Sequence, residues 1–199
     1  MSNNTSRRTL TPARRVLNML LLVGMIVLLI YLVKAGANMF YKHFYPIKYS
    51  DLVEKYSEEN GLDEVFVYSV ISCESGFDPE AKSSVGALGL MQITEDAFEW
   101  VMFRKGETRE LTFDMLTDPE LNIEYGTYML GFFKEEFGSV ENILCAYHAG
   151  RGQTQKWLAD ERYTTDGVVT DIPFSDTAAY VSRVKKTMDI YENLYYGGK

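Results

Sequence analysis

A chain of 199 residues, 46% of them hydrophobic, has room for one membrane segment and one domain but not for two sizeable domains. The first 34 residues carry five Lys/Arg and no acid, which leaves 15 basic against 28 acidic residues over positions 35–199, a net charge of −13. So acidic a domain is excluded as a nucleic-acid binder, because neutralising phosphates needs the opposite sign. With two cysteines and two histidines, no cluster has metal-ligand spacing, and no cofactor or metal is expected.

Residues 1–15 read as a polar tail bearing Arg7, Arg8, Arg14 and Arg15. Val16 to Val33 form an apolar span interrupted only by Asn18 and Gly24, long enough to nearly cross a bilayer. The arginines before it place the tail in the cytoplasm and the bulk of the chain outside, as a single-pass protein of the cell membrane. Ala35-Gly36-Ala37 offers a cleavage site as the alternative to a retained anchor. Residues 34–46 read as a linker, and Phe40, Tyr41, Phe44 and Tyr45 suit a membrane interface.

From there the pattern is almost entirely helical. Ser50 to Glu59 reads as a helix closed by Asn60-Gly61. Asp63 is placed to cap a helix whose apolar stripe Phe66, Val67, Val70, Ile71 continues onto Glu74. That glutamate therefore sits on an apolar face at a helix C-terminus, where burial and the helix dipole both raise a carboxyl pKa. A carboxyl that stays protonated near neutral pH is what a general acid requires; the plainer alternative is a glutamate that caps a helix end. The following stretch holds Gly86, Ala87 and Gly89, which let backbone approach another surface, and Gln92, a polar amide inside an apolar run. Helices follow from Thr94 to about Arg104, from Asp118-Pro119 to Phe137, from Ser139 to Ala149-Gly150, and from about Ser175 to Tyr195. Asp160 to Asp171 is a polar loop, and any strands should be short and confined to loops. Cys73 and Cys145 fall in apolar helices and are expected as buried free thiols.

Glu74-Ser75-Gly76-Phe77, then Ser83, then Gly86 through Ile93 (GALGLMQI) resemble the signature of soluble lytic transglycosylases, relatives of goose-type lysozyme. Ala146-Tyr147-His148-Ala149-Gly150 and the run Ile172 through Val181 (IPFSDTAAYV) resemble two further motifs of that family, in the same order, so that the similarity covers about residues 47–196. His148 stands where the family usually has Asn, and Asp176 where it usually has Glu. The resemblance implies a mainly α, lysozyme-like domain over residues 47–199, behind the single N-terminal transmembrane helix. It implies cleavage of the β-1,4 bond between N-acetylmuramic acid and N-acetylglucosamine in peptidoglycan glycan strands, with a 1,6-anhydro end as product. Glu74 would act as acid and then base, helped by the substrate's N-acetyl group. Tyr147 should approach Glu74 and Tyr180 should line the cleft. Ser83, Gln92 and His148 would hydrogen-bond the glycan, and Met91 would pack on a sugar ring or fill the core.

Glycosidases usually employ two carboxylates, and here only Glu74 is convincing; Asp78 and Glu80 flank Pro79 and should face solvent. A muramidase of the same fold that uses water, and a non-catalytic glycan-binding scaffold, are the competing readings. Protonated His148 would lower the Glu74 pKa and weaken activity below roughly pH 6, and the acidic domain is expected to raise the His148 pKa.

Overall fold

The computed structural model describes residues 12–197. The chain divides into two compact units, Met1–Phe44 and Tyr45–Lys199. The first holds helix α1 (Pro12–Phe44), with proline at its opening turn. Among the described residues it is the one helix long and apolar enough to cross a membrane. Residues 1–11 of the expected tail lie outside the described residues. The expected linker is mostly helix: nothing from Ala35 to Phe44 breaks the pattern, whereas Pro46 disfavours helical geometry at Tyr45 and α1 stops there.

The second unit comprises α2 (Ser50–Glu59), α3 (Glu64–Glu74), α4 (Glu95–Lys105), a 3-10 helix (Phe113–Thr117), α5 (Pro119–Phe137), α6 (Val140–Ala149), α7 (Arg151–Leu158) and α8 (Ser175–Tyr195). Side chains of Asp63, Thr94, Asp118 and Ser139 accept backbone N–H groups at the starts of α3, α4, α5 and α6. Each such cap satisfies a donor that the helix itself leaves open. Within the polar loop, β1 (Thr164–Thr165) pairs antiparallel with β2 (Val168–Val169) across Asp166-Gly167, where both turn residues have positive φ. The sequence did not disclose α7 or the 3-10 helix.

Helix α3 is the centre of this unit. Seven consecutive residues, Val65 to Ile71, are buried, so the expected one-sided stripe is in fact a helix enclosed on all sides. Its most extensive partner is α8. There Tyr191 stacks on Tyr68 with centroids 5.7 Å apart, and the Tyr191 hydroxyl donates to the Pro46 carbonyl at 3.0 Å. Only at Ser72, Cys73 and Glu74 does α3 begin to emerge. Both thiols are free; Cys145 is buried, while Cys73 is half-buried beside the Thr187 hydroxyl.

Candidate active site

Glu74 is the final residue of α3, and the backbone turns away at Gly76 and Phe77, both with positive φ. Ser75 fixes that exit. Its hydroxyl donates to the Leu90 carbonyl at 2.8 Å and accepts the Phe77 N–H at 3.1 Å, joining the end of α3 to the glycine-rich loop.

The loop is folded tightly on itself. Leu88 and Ile93 exchange both backbone hydrogen bonds, at 2.9 and 3.0 Å. A single buried side chain, Asn122 of α5, clamps it from beneath: its amide donates to the carbonyls of Leu88 and Leu116, and its oxygen accepts from the Met91 N–H. At Gly89 (φ 76°) an added Cβ would lie 2.2 Å from the Asn122 amide nitrogen and 2.3 Å from the Leu116 oxygen, so only glycine fits. Of the two places the sequence left open for Met91, the structure has the core. Its side chain is fully buried and packs on Gly126, because the clamp draws the backbone onto α5.

Gln92 has φ 50°, a conformation rarely held by a side-chain-bearing residue. Its amide nitrogen donates to the carbonyls of Ala81 and Gly89. The donors of this half-buried amide are thus satisfied within the loop, and a bound ligand is not needed to explain them; only the carbonyl end faces no such bond. Ser83 likewise serves its own turn, its hydroxyl accepting the Ala87 N–H at 3.0 Å.

Around Glu74 the structure gathers Tyr147 and Tyr180, with His148 packed on the latter. The Tyr147 hydroxyl donates to the Met91 carbonyl at 2.7 Å, which ties α6 to the loop. Tyr180 of α8 is buried, and its hydroxyl has no partner in full hydrogen-bond geometry; it leans on the Glu74 carboxyl. The His148 ring stacks on that of Tyr180 at 4.6 Å, and its Nδ1 lies 3.0 Å from the Thr177 hydroxyl. Asp78 and Glu80 are exposed.

Burial pushes the Glu74 carboxyl up to about 7, against the opposing pull of the Tyr180 hydroxyl and the Arg183 cation. No second carboxylate contributes to that balance. Tyr147 and Tyr180 are held well above the usual phenol range by burial and then by Glu74, so both remain protonated donors. The expected rise of the His148 pKa is not what the structure has. Burial lowers it and Arg183 adds to that, outweighing the nearby Asp176.

Sequence reasoning missed Arg183, Ser75 and Asn122. Arg183 follows Tyr180 by three residues on α8, hence on the same face, and that spacing was the available signal. Asn122, between Leu121 and Ile123 inside an apolar helix face, was a buried amide in need of partners. Among the described residues no group of three or more His, Cys, Asp or Glu could hold a metal ion.

Residues 51–167 match the family model described as the transglycosylase SLT domain. The soluble lytic murein transglycosylase of Escherichia coli K12 is 32% identical over 158 residues, covering 78% of this chain and 24% of that protein. Membrane-bound lytic murein transglycosylase C of Pectobacterium atrosepticum is 31% identical over 138 residues, 65% of this chain and 39% of the relative. The crystal structure of the 70 kDa soluble lytic transglycosylase of Escherichia coli superposes with a TM-score of 0.74 at 30% identity, over 80% of this chain and 26% of that one. An inactive mutant of the lytic transglycosylase Slt from Pseudomonas aeruginosa, with glutamine in place of a glutamate, gives 0.69 at 27% identity, over 78% and 25% of the two chains. The chain spans about a quarter of the length of the soluble relatives it matches.

Proposed function

This chain belongs to the transglycosylase SLT family, and from that we propose that it is a membrane-anchored lytic transglycosylase acting on peptidoglycan glycan strands. The observation that carries the reading is the solitary, half-buried carboxyl of Glu74 at the end of α3, with a pKa raised to about 7 and two protonated phenols beside it. Protonated Glu74 gives its proton to the glycosidic oxygen as the bond to C1 of N-acetylmuramic acid breaks. The substrate's own N-acetyl group supports the developing charge, which accounts for chemistry without a second protein carboxylate. The Glu74 carboxylate then takes the proton of the sugar's 6-hydroxyl as that oxygen bonds to C1. The acid is restored, no water is consumed, and the strand ends in a 1,6-anhydro ring.

Tyr180 and Tyr147 flank the carboxyl and limit its exposure to water. The Gln92 carbonyl, Ser83 and the exposed edge of His148 line the approach of the glycan. Val16 to Val33 anchor the chain, with residues 1–15 in the cytoplasm, residues 34–46 leading out, and the catalytic domain of residues 47–199 outside. The membrane-bound naming of one set of relatives supports the anchor.

Digestion of purified peptidoglycan with mass analysis of the fragments tests this. Anhydro-ended products, one water lighter than hydrolysis products, are expected, and Glu74→Gln should lower the rate by about 10²–10⁴. Reducing ends alone would make the protein a muramidase, and an active Glu74→Gln form would place the acid elsewhere.

A further inference from the structure

Arg183 is an exposed cation beside the candidate acid. Residues 35–199 carry 28 acids against 15 bases; Lys55, Lys105, Arg109, Arg151, Arg162 and Lys185 stand in ion pairs, while Lys48, Lys82, Arg104, Lys156 and Lys186 do not among the described residues. Arg183 stands in none among the described residues. It is exposed, and its guanidinium sits over the Tyr180 ring, 5.7 Å from the centroid. The same ring carries His148 at 4.6 Å, and its hydroxyl leans on Glu74.

We propose that Arg183 binds a carboxylate of the glycan strand beside Glu74, making it a specificity-determining residue that separates acidic, muramic-acid-containing strands from neutral ones. The inference rests on the glycan-cleaving reading above and names the chemistry its cleft selects.

Three features support it. Stacking on Tyr180 orders the planar guanidinium in advance, so that less side-chain freedom is lost when an anion docks. The guanidinium presents a fork of donors that matches a carboxylate in two-pronged fashion. Glu74 does not satisfy this cation, because burial keeps its carboxyl largely protonated up to about pH 7. The nearest cationic alternative, His148, is held neutral near pH 7 by burial and by Arg183 itself. Two carboxylates on such a strand could fill the position, the lactyl group of the muramic acid or one on an attached peptide.

The test measures binding by calorimetry, with the full chain in detergent carrying Glu74→Gln to stop cleavage. Three oligosaccharides of equal length are compared: N-acetylglucosamine alone, a peptide-free strand with lactyl carboxylates, and a strand with peptides attached. Adding Arg183→Gln should weaken the preferred acidic strand by about 10- to 100-fold, the range for a charged hydrogen-bonded contact. The ratio of acidic to neutral affinity should collapse with it. Arg183→Lys should recover only part, and added salt should weaken acidic-strand binding in the Arg183 protein alone. The strand losing most affinity identifies the carboxylate. Equal loss on neutral and acidic strands would show that Arg183 merely holds Tyr180, and unchanged affinities would remove it from the cleft; either overturns the proposal. Arg183-dependent binding without any cleavage by the parent protein would overturn the transglycosylase reading and leave this one standing.

Discussion

Glu74 should make the domain less stable as pH rises, and replacing it should reverse that. The carboxyl ordinarily titrates at 4.5 and is raised by burial to about 7 in the fold. A raised folded-state pKa means that folding favours the protonated form. The contribution is therefore fully present below pH 4.5 and is lost as pH climbs through about 7. The gap corresponds to about 3 kcal/mol at 1.36 kcal/mol per pH unit, and this is a ceiling because the side chain is half-buried and water reaches it. Glutamine has nearly the same volume and does not ionise. Glu74→Gln should match the parent only below about pH 4.5 and exceed it at pH 8 by up to about 3 kcal/mol, a shift of about 1 M or more in the urea midpoint. Urea unfolding of residues 45–199 at closely spaced pH values measures it. All other groups titrate alike in both proteins, so the difference curve isolates Glu74. Parallel curves from pH 5 to 8 would show that Glu74 is an ordinary solvated carboxylate, and the general-acid argument would fall with it.

The cleavage rate should decline above about pH 7 as Glu74 ionises. Because His148 titrates below its ordinary 6.5, the acid limb should lie below that value and flatten in His148→Asn; superimposable profiles of the two proteins would make the histidine neutral in effect. Asn122→Ala strands two carbonyls and one N–H in the core, and at about 1–3 kcal/mol for each buried group left unpaired it should cost about 3 kcal/mol or more in urea unfolding. Gly126→Ala puts a methyl 2.3 Å from the Met91 sulfur and 2.9 Å from its Cβ. Overpacking of this kind should cost about 1–3 kcal/mol in the same assay, and a neutral result would mean that Met91 can swing away.

Helix boundaries were legible wherever the chain states them locally. Asp63, Thr94, Asp118 and Ser139 each announce a helix by a side chain that can accept an N–H, and all four cap one in the fold. The 3-10 helix and α7 escaped because each is both short, five and eight residues, and uncapped at Thr112 and Gly150, whereas the longer α2 and α8 were legible without a side-chain cap. The helical state of the linker was not stated by its aromatic composition; the local signal was the absence of a breaker before Pro46. In the site, the glutamate could be found because its position on α3 is a matter of periodicity. Gln92 was harder. Its partners, Ala81 and Gly89, depend on a loop turned back on itself, and no spacing rule places a carbonyl eleven residues away beside an amide. Met91 was ambiguous for a similar reason, since the backbone bond to Asn122 that sends its side chain into the core is long-range.

The pairing of α3 with α8 sets an order of events during synthesis. Tyr180 follows Glu74 by 106 residues. At about 5–20 residues per second, the ribosome therefore finishes the glutamate about 5 to 20 seconds before the phenol that leans on it. Through that interval α3 lacks its most extensive neighbour, and Glu74 is solvated with the acidity of any exposed glutamate, a poor proton donor at neutral pH. The raised pKa of Glu74 is acquired only when α8 docks, so a nascent chain lacks this proton donor until the sequence that encloses it has been made.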